Sequence, residues 1–372
     1  MDWEAEGFLE GTEGRDREGR LQLLDALHED GASAEELREA IEESRLALLP
    51  VERALADEGA HTQRAVAEKL GLELRFLQRQ RQAAGLPAVD PDEPVITDSE
   101  VESARLLGAA KEAGLPEAAL FDLSRVLGQT TSTIASALRT ITVESFTRAG
   151  DTEREVGLRY AEAARNLVPL AIPAVEQLLM SHLRTQLRQD ILDSSMRRAG
   201  RVTGGSEVTV LFADLVGFTK IGESIDTDAL GSIGERLAEI ATDALCGSAR
   251  VVKMIGDAAM IVSPDVDPVL ETAFKMVGAV DEEGEDFPQL RVGVARGEAL
   301  GRMGDWYGRP VNLASRLTGK AYPASILTTE WVKESAAGDY RWSFAGAKEL
   351  KGISGGVKLY RVRPASSSAD GA

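Results

Sequence analysis

The sequence predicts a multidomain chain, all-α in its N-terminal part and mixed α/β from about residue 206 onward. Three observations carry this. Apolar residues recur at helical spacing through most of the first 184 positions. After 206 the period changes, and short β-rich runs alternate with helical ones. Between the two parts, RVTGG at 201–205 stops the preceding helical pattern. A chain of 372 residues has room for two or three domains.

Residues 1–14 are polar and contain glycine, so they are expected to fray. From 19 to 56, Leu21, Leu24, Leu27, Leu37, Ile41, Leu46, Leu49 and Val51 follow helical spacing, with a turn capped at Ser33. Residues 62–87 predict a short helix, a turn at Gly71 and a second helix ending at Gly85 and Pro87. This has the outline of a helix-turn-helix. A DNA-binding reading would need Arg75, Arg79 and Arg81 to face phosphates, although many small helical domains share the turn. The acidic, proline-rich stretch 89–100 reads as a linker. Residues 101–145 read as helices with turns at GLPEA and LGQTTST. Pro169 and Pro173 are expected to kink or break the next run. LVPLAIPAV, 167–175, reads either as core or as the lining of a pocket for a hydrophobic ligand. A separate amphipathic helix is expected over 174–199.

In the second part, strands are expected at 207–214, 249–254, 258–262, 289–296, 324–328, 340–346 and 356–363, and helices at 226–246, 266–281, 308–319 and 329–336. The tail 364–372 has a disordered composition. These boundaries divide the chain into 1–173, a linker helix and turn at 174–205, and 206–363.

Composition narrows the function classes. A net charge of −19 argues against a generally basic nucleic-acid protein. A single cysteine, Cys246, excludes a disulfide framework within the chain. The three histidines, His28, His61 and His182, are far apart in sequence, which disfavours a histidine zinc site. No apolar stretch is long enough to span a membrane and no secretory signal pattern opens the chain, so a cytoplasmic location is expected.

The chemistry concentrates in VTVLFADLVGFTK, 208–220, and VVKMIGDAAM, 251–260. Asp214 follows an apolar strand, and the glycine-containing turn after it leads into a helix whose free N–H groups suit phosphate. Asp257 lies at a tight turn beside Gly256. Together the two carboxylates could hold hard cations, though either alone is more often an ordinary turn residue. Asn312 and Arg316 stand four apart on one helix face; alone, that pattern is as well explained by a solvated surface.

These two segments, with GDWYGRPVNLASRL at 304–317, resemble the signature segments of the class III nucleotide cyclases over residues 206 to about 362. The resemblance implies a ferredoxin-like α/β catalytic core and a head-to-tail homodimer with active sites shared between subunits. It implies that Asp214, Asp257 and the Leu215 carbonyl hold two Mg²⁺ or Mn²⁺ ions, and that the backbone from Leu215 through Val216, Gly217 and Phe218 to Thr219 cradles the triphosphate. Lys351 matches a further phosphate contact. Lys253 and Asp305 match the adenine-reading pair, where guanylyl cyclases usually carry glutamate and cysteine or a similar residue. The substrate implied is therefore ATP and the product 3′,5′-cyclic AMP. Asn312 matches the ribose-positioning residue and Arg316 the group that meets charge on the α-phosphate. The short segment before Asp305 resembles the soluble mycobacterial-type subgroup, whose N-terminal helical domain regulates activity and in some members responds to acidity. His182, in the helix leading to the catalytic strand, is the regulatory candidate on that reading. Two alternatives stay open: a DNA-binding regulator with a nucleotide-sensing cyclase-like domain, and a cyclase for another nucleotide.

Overall fold

In the computed structural model, residues 1–57, 59–146, 148, 150–197, 206–222, 227–284, 286–349 and 356–365 are described. The chain divides into two compact units, Met1–Ala199 and Gly200–Ala372.

The first unit is helical: α1 (Gly14–Glu29), α2 (Ala34–Glu42), a 3₁₀ turn (Leu46–Leu48), α3 (Leu49–Leu55), α4 (Gln63–Leu70), α5 (Leu74–Ala83), α6 (Asp98–Glu112), α7 (Glu117–Phe146) and α8 (Glu153–Arg197). Ser33 caps α2 as expected, its hydroxyl accepting from the Glu36 N–H at 3.1 Å. Residues 1–14 do not fray. Trp3, Phe8 and Leu9 are buried with Leu23, Leu24 and Leu37, and the Trp3 indole donates to Asp25 at 2.6 Å. Two large apolar rings offset the polar composition of that segment.

The α4–α5 pair has the predicted turn, with Gly71 in the left-handed conformation. Two of the three arginines named for a DNA-binding reading are engaged within the unit: Arg79 lies over the Phe121 ring and Arg81 pairs with Glu100 and the Pro87 carbonyl, while Arg75 is exposed. The turn expected at LGQTTST does not form. α7 runs through it, with Thr131 and Thr133 donating back to the carbonyls of Leu127 and Gln129, so their hydroxyls are satisfied inside a helix. Nor does the chain break at Pro169 or Pro173, and the separate helix expected at 174–199 is the later part of α8, 45 residues long. Near its start α8 packs tightly: Ala161 and Ala163 are fully buried, and a Cβ on Gly157 would come within 2.7 Å of the Ala47 carbonyl. Further on it is exposed. Leu170 and Ile172 are 70% and 64% exposed, so LVPLAIPAV is not core of this unit. Solvent there can satisfy the carbonyls that the prolines leave without donors.

The second unit comprises β1 (Ser206–Leu215), α9 (Phe218–Ile221), α10 (Thr227–Asp243), β2 (Arg250–Ile255), β3 (Ala258–Ser263), α11 (Asp267–Glu282), β4 (Leu290–Arg302), β5 (Asp305–Gly308), α12 (Arg309–Thr318), β6 (Ser325–Thr329), α13 (Glu330–Ser335), β7 (Tyr340–Lys348) and β8 (Val357–Pro364). They form an open mixed sheet in the order β2-β3-β1-β4-β6-β8-β7, with β5 paired only to β4. Strand alternation gives the sheet two faces. Leu211, Ala213 and Leu215 pack with Leu237 and Ile240 of α10 and Leu270 and Met276 of α11. Val208 and Val210 pack with Leu313 and Leu317 of α12. Gly293 permits the second contact, because a Cβ there would lie 2.3 Å from the Thr318 nitrogen and 2.4 Å from the Ala314 oxygen. The sequence does not announce β5. It forms because Met303 and Gly304, both at positive φ (57° and 78°), close a two-residue hairpin after β4.

Candidate active site

Asp214 is the last residue but one of β1, opposite Ala258 on one side and Arg291 of β4 on the other. By alternation it shares the α12 face of the sheet with Val208 and Val210. Asp257 sits in the β2–β3 turn, which Gly256 closes with φ +58°. That turn is tied to the end of β1, since the Leu215 N–H donates to the Asp257 carbonyl at 3.2 Å. The two carboxyls are therefore neighbours. Burial, followed by the Asp214 charge and a hydrogen bond from its carboxyl, pushes the Asp257 carboxyl up, with Arg291 opposing the shift.

This pair has the donor chemistry for hard divalent cations, which favour carboxylate oxygens and relieve repulsion between them. Among the described residues no group of three or more His, Cys, Asp or Glu converges. Two carboxylates with the Leu215 carbonyl would leave positions for water and phosphate, the mode Mg²⁺ commonly adopts. The residues thus fit the implied ions.

The loop after β1 has fewer free donors than its sequence suggests. Leu215 N–H is used by Asp257 and Val216 N–H by the Gln289 carbonyl at 2.8 Å. Among the described residues, the N–H groups of Gly217 and Phe218 have no backbone acceptor. Lys351 lies outside the described residues.

Lys253 and Asp305 are 52 positions apart and meet at 2.5 Å, Nζ donating to Oδ2. The β4–β5 hairpin delivers Asp305 as the first residue after its turn, in register with Arg302. Its other oxygen accepts from the Trp306 N–H at 2.8 Å. Burial raises the Asp305 carboxyl, but the Lys253 and Trp306 hydrogen bonds and the lysine charge outweigh it and hold the group below the usual carboxylate range. Trp306 itself packs against the α12-side core, under the Arg250 guanidinium at 5.9 Å.

On α12, Pro310, Leu313, Ala314 and Leu317 are buried. Asn312 is exposed and Arg316 half-buried, so both point off the packed face. The Arg316 Nη1 is buried with no hydrogen-bond partner among the described residues. A buried guanidinium N–H without an acceptor is costly and suits an arriving anion. His182 lies on the exposed stretch of α8.

One neighbour escapes sequence reading. Arg291 donates to Asp214 Oδ2 from Nε at 2.7 Å and from Nη2 as well. The available signal was a lone charge at the start of the apolar run LRVGVA, but only the β1–β4 register shows what it faces.

Comparison with known proteins adds two matched regions. Residues 1–187 match the family described as "Adenylate cyclase regulatory domain", and residues 202–364 match "Adenylate and Guanylate cyclase catalytic domain". A "pH-sensitive adenylate cyclase" of Mycobacterium tuberculosis is 38% identical over 366 residues, covering 96% of this chain and 90% of that protein. An "Adenylate cyclase" of Streptomyces coelicolor is 31% identical, covering 73% and 71%. The solved adenylyl cyclase CyaB from P. aeruginosa aligns at 21% identity over 45% of this chain and 98% of its own, with a TM-score of 0.39. No described helix is long and apolar enough to cross a membrane.

Proposed function

The chain belongs to the class III nucleotide cyclases, with an adenylate cyclase regulatory domain ahead of the catalytic domain, and from that premise we propose that it converts ATP to 3′,5′-cyclic AMP and pyrophosphate at sites shared between two copies. The catalytic unit is read as a ferredoxin-like core, from the β2-β3-β1-β4 order. The observation that carries the substrate assignment is the Lys253–Asp305 pair. A cation donating to adenine N1 and a carboxylate accepting from its 6-amino group match the adenine edge. Guanine, with an acceptor at O6 and a donor at N1, would leave both unpaired.

The ribose 3′-hydroxyl attacks the α-phosphorus in line and pyrophosphate departs. Asn312 orients the ribose. Arg316 meets the negative charge that grows on the α-phosphate, and its unpartnered Nη1 is the support for that role. The N–H groups of Gly217, Phe218 and Thr219 hold phosphate oxygens, and Lys351 is assigned a further phosphate contact. Asp214, Asp257 and the Leu215 carbonyl would hold two Mg²⁺ or Mn²⁺ ions, which when bound activate the hydroxyl and neutralise the leaving group. The hydroxyl proton goes to solvent or to a phosphate oxygen.

The distribution of the sets supports the shared-site reading. Lys253 and Asp257 lie on the same hairpin, yet Lys253 is drawn to Asp305 and Asp257 to Asp214. We assign the acidic pair of one copy and the base-reading, ribose and Arg316 groups of its partner to one nucleotide. We further propose that the N-terminal unit regulates the dimer, by pH through His182 or by a hydrophobic ligand on the exposed stretch of α8.

Incubation of the full chain with Mn²⁺ and each of four nucleoside triphosphates tests the assignment. Cyclic AMP as the main product, abolished in Asp214→Ala, is expected. Cyclic GMP as the main product, or turnover that survives in Asp214→Ala, would overturn it.

A further inference from the structure

We infer that Arg291 is a positioning residue that sets the cation affinity of the Asp214–Asp257 site; this rests on the reading of those two carboxylates as cation ligands. Both of its hydrogen bonds end on one oxygen, Asp214 Oδ2. Oδ1 receives neither. A carboxylate gripped by two donors on one oxygen has its rotation fixed, and the other oxygen is presented in a defined direction.

The backbone on each side fixes where the two residues start. Arg291 is flanked by Leu290 and Val292, both fully buried. Asp214 lies between Ala213 and Leu215, also buried. β4 is paired on both sides here, to β1 at Asp214 and to β6 at Ser325. Neither strand can slide without breaking a core, so the backbone positions of Arg291 and Asp214 stay opposite each other. The Arg291 Nε and Nη2 converge on Asp214 Oδ2 as a planar fork of two donors, which a lysine point charge does not reproduce. Partners that orient a ligating carboxylate typically change metal affinity about 10- to 100-fold when removed.

A purely electrostatic role has the opposite sign. Arg291 places a positive charge beside the cation site, in an ion pair with Asp214. If charge alone counted, removing it would tighten cation binding. The two roles therefore separate by direction.

The test is direct Mn²⁺ binding to the full chain, read by the electron paramagnetic resonance signal of free Mn²⁺, with no nucleotide present. Wild type, Asp257→Ala, Arg291→Gln and Arg291→Lys are compared, with unfolding midpoints in the absence of metal recorded for each. Arg291→Gln is expected to weaken Mn²⁺ binding about tenfold or more, and Arg291→Lys to weaken it by less. If Arg291→Gln does not fold, Arg291→Lys carries the test, because it keeps the charge and loses only the fork. Binding equal to or tighter than wild type in either folded variant overturns the inference. Wild type that binds no more Mn²⁺ than Asp257→Ala overturns the underlying reading of the carboxylates, and the inference with it.

Discussion

Asp305→Asn is the sharpest probe of base selection, because it changes one donor–acceptor relation and little else. The replacement is isosteric, and its carbonyl oxygen can still accept from the Trp306 N–H that now bonds Asp305 at 2.8 Å. What changes is the atom facing Lys253. Asp305 Oδ2 accepts from Nζ at 2.5 Å; an amide nitrogen there would set donor against donor. The acceptor for the adenine amino group is lost at the same time. A hydrogen bond to a charged partner contributes roughly 1.5–3 kcal/mol. Lys253 and Asp305 keep 39% and 27% of their side-chain surface exposed, so screening favours the lower end, and about 1.4 kcal/mol corresponds to a factor of ten. The amide can donate to guanine O6, so the loss should fall on ATP and not on GTP. The assay is kcat/KM for both nucleotides with Mn²⁺. A fall of about tenfold or more in the ATP-to-GTP ratio is expected. An unchanged ratio, with both efficiencies falling together, would refute the adenine-reading role of the pair.

Three further outcomes follow from other parts of the molecule. Gly293→Ala would force backbone atoms of α12 away from contacts of 2.3 and 2.4 Å; turnover should fall because Asn312 and Arg316 ride on that helix, and overpacking should cost about 1–3 kcal/mol in denaturant unfolding. The Asp257 carboxyl is raised in the folded protein, so its ionisation is a net cost: absent below the unfolded carboxylate range and fully present above the folded value. Asp257→Asn should therefore raise the metal-free unfolding midpoint at neutral pH and have little effect near pH 4, as differential scanning calorimetry at the two pH values would show. His182→Gln should flatten the activity profile over about pH 5.5 to 8 if His182 drives the proposed pH response; an unchanged profile removes this residue from regulation.

Much of the catalytic unit is legible in the sequence because its signals are local. Alternation in VTVLFA marks a strand, and the spacing of Pro310, Leu313 and Leu317 marks the buried face of α12. What is not local was missed. β5 depends on a hairpin closed by Met303, a non-glycine residue at positive φ, which no propensity favours. Arg291 acquires its partner from a register set 77 positions away. In the N-terminal unit, turn-forming composition misled at LGQTTST and proline at 169 and 173, where a long helix absorbed both. The segment 1–14 was misjudged because its polar residues outnumber Trp3, Phe8 and Leu9, although these three decide its burial.

The central claim is that one nucleotide is served by two copies of the chain. Mixing two inactive variants tests it most directly: Asp257→Ala, which lacks one carboxylate of the acidic pair, and Arg316→Ala, which lacks the charge-neutralising group. After subunit exchange at equal amounts, half of the dimers are mixed and each has one intact site, so recovery of about a quarter of wild-type cyclic AMP production is expected. A mixture as inactive as its parents, with exchange verified by differently tagged chains, would contradict the shared site.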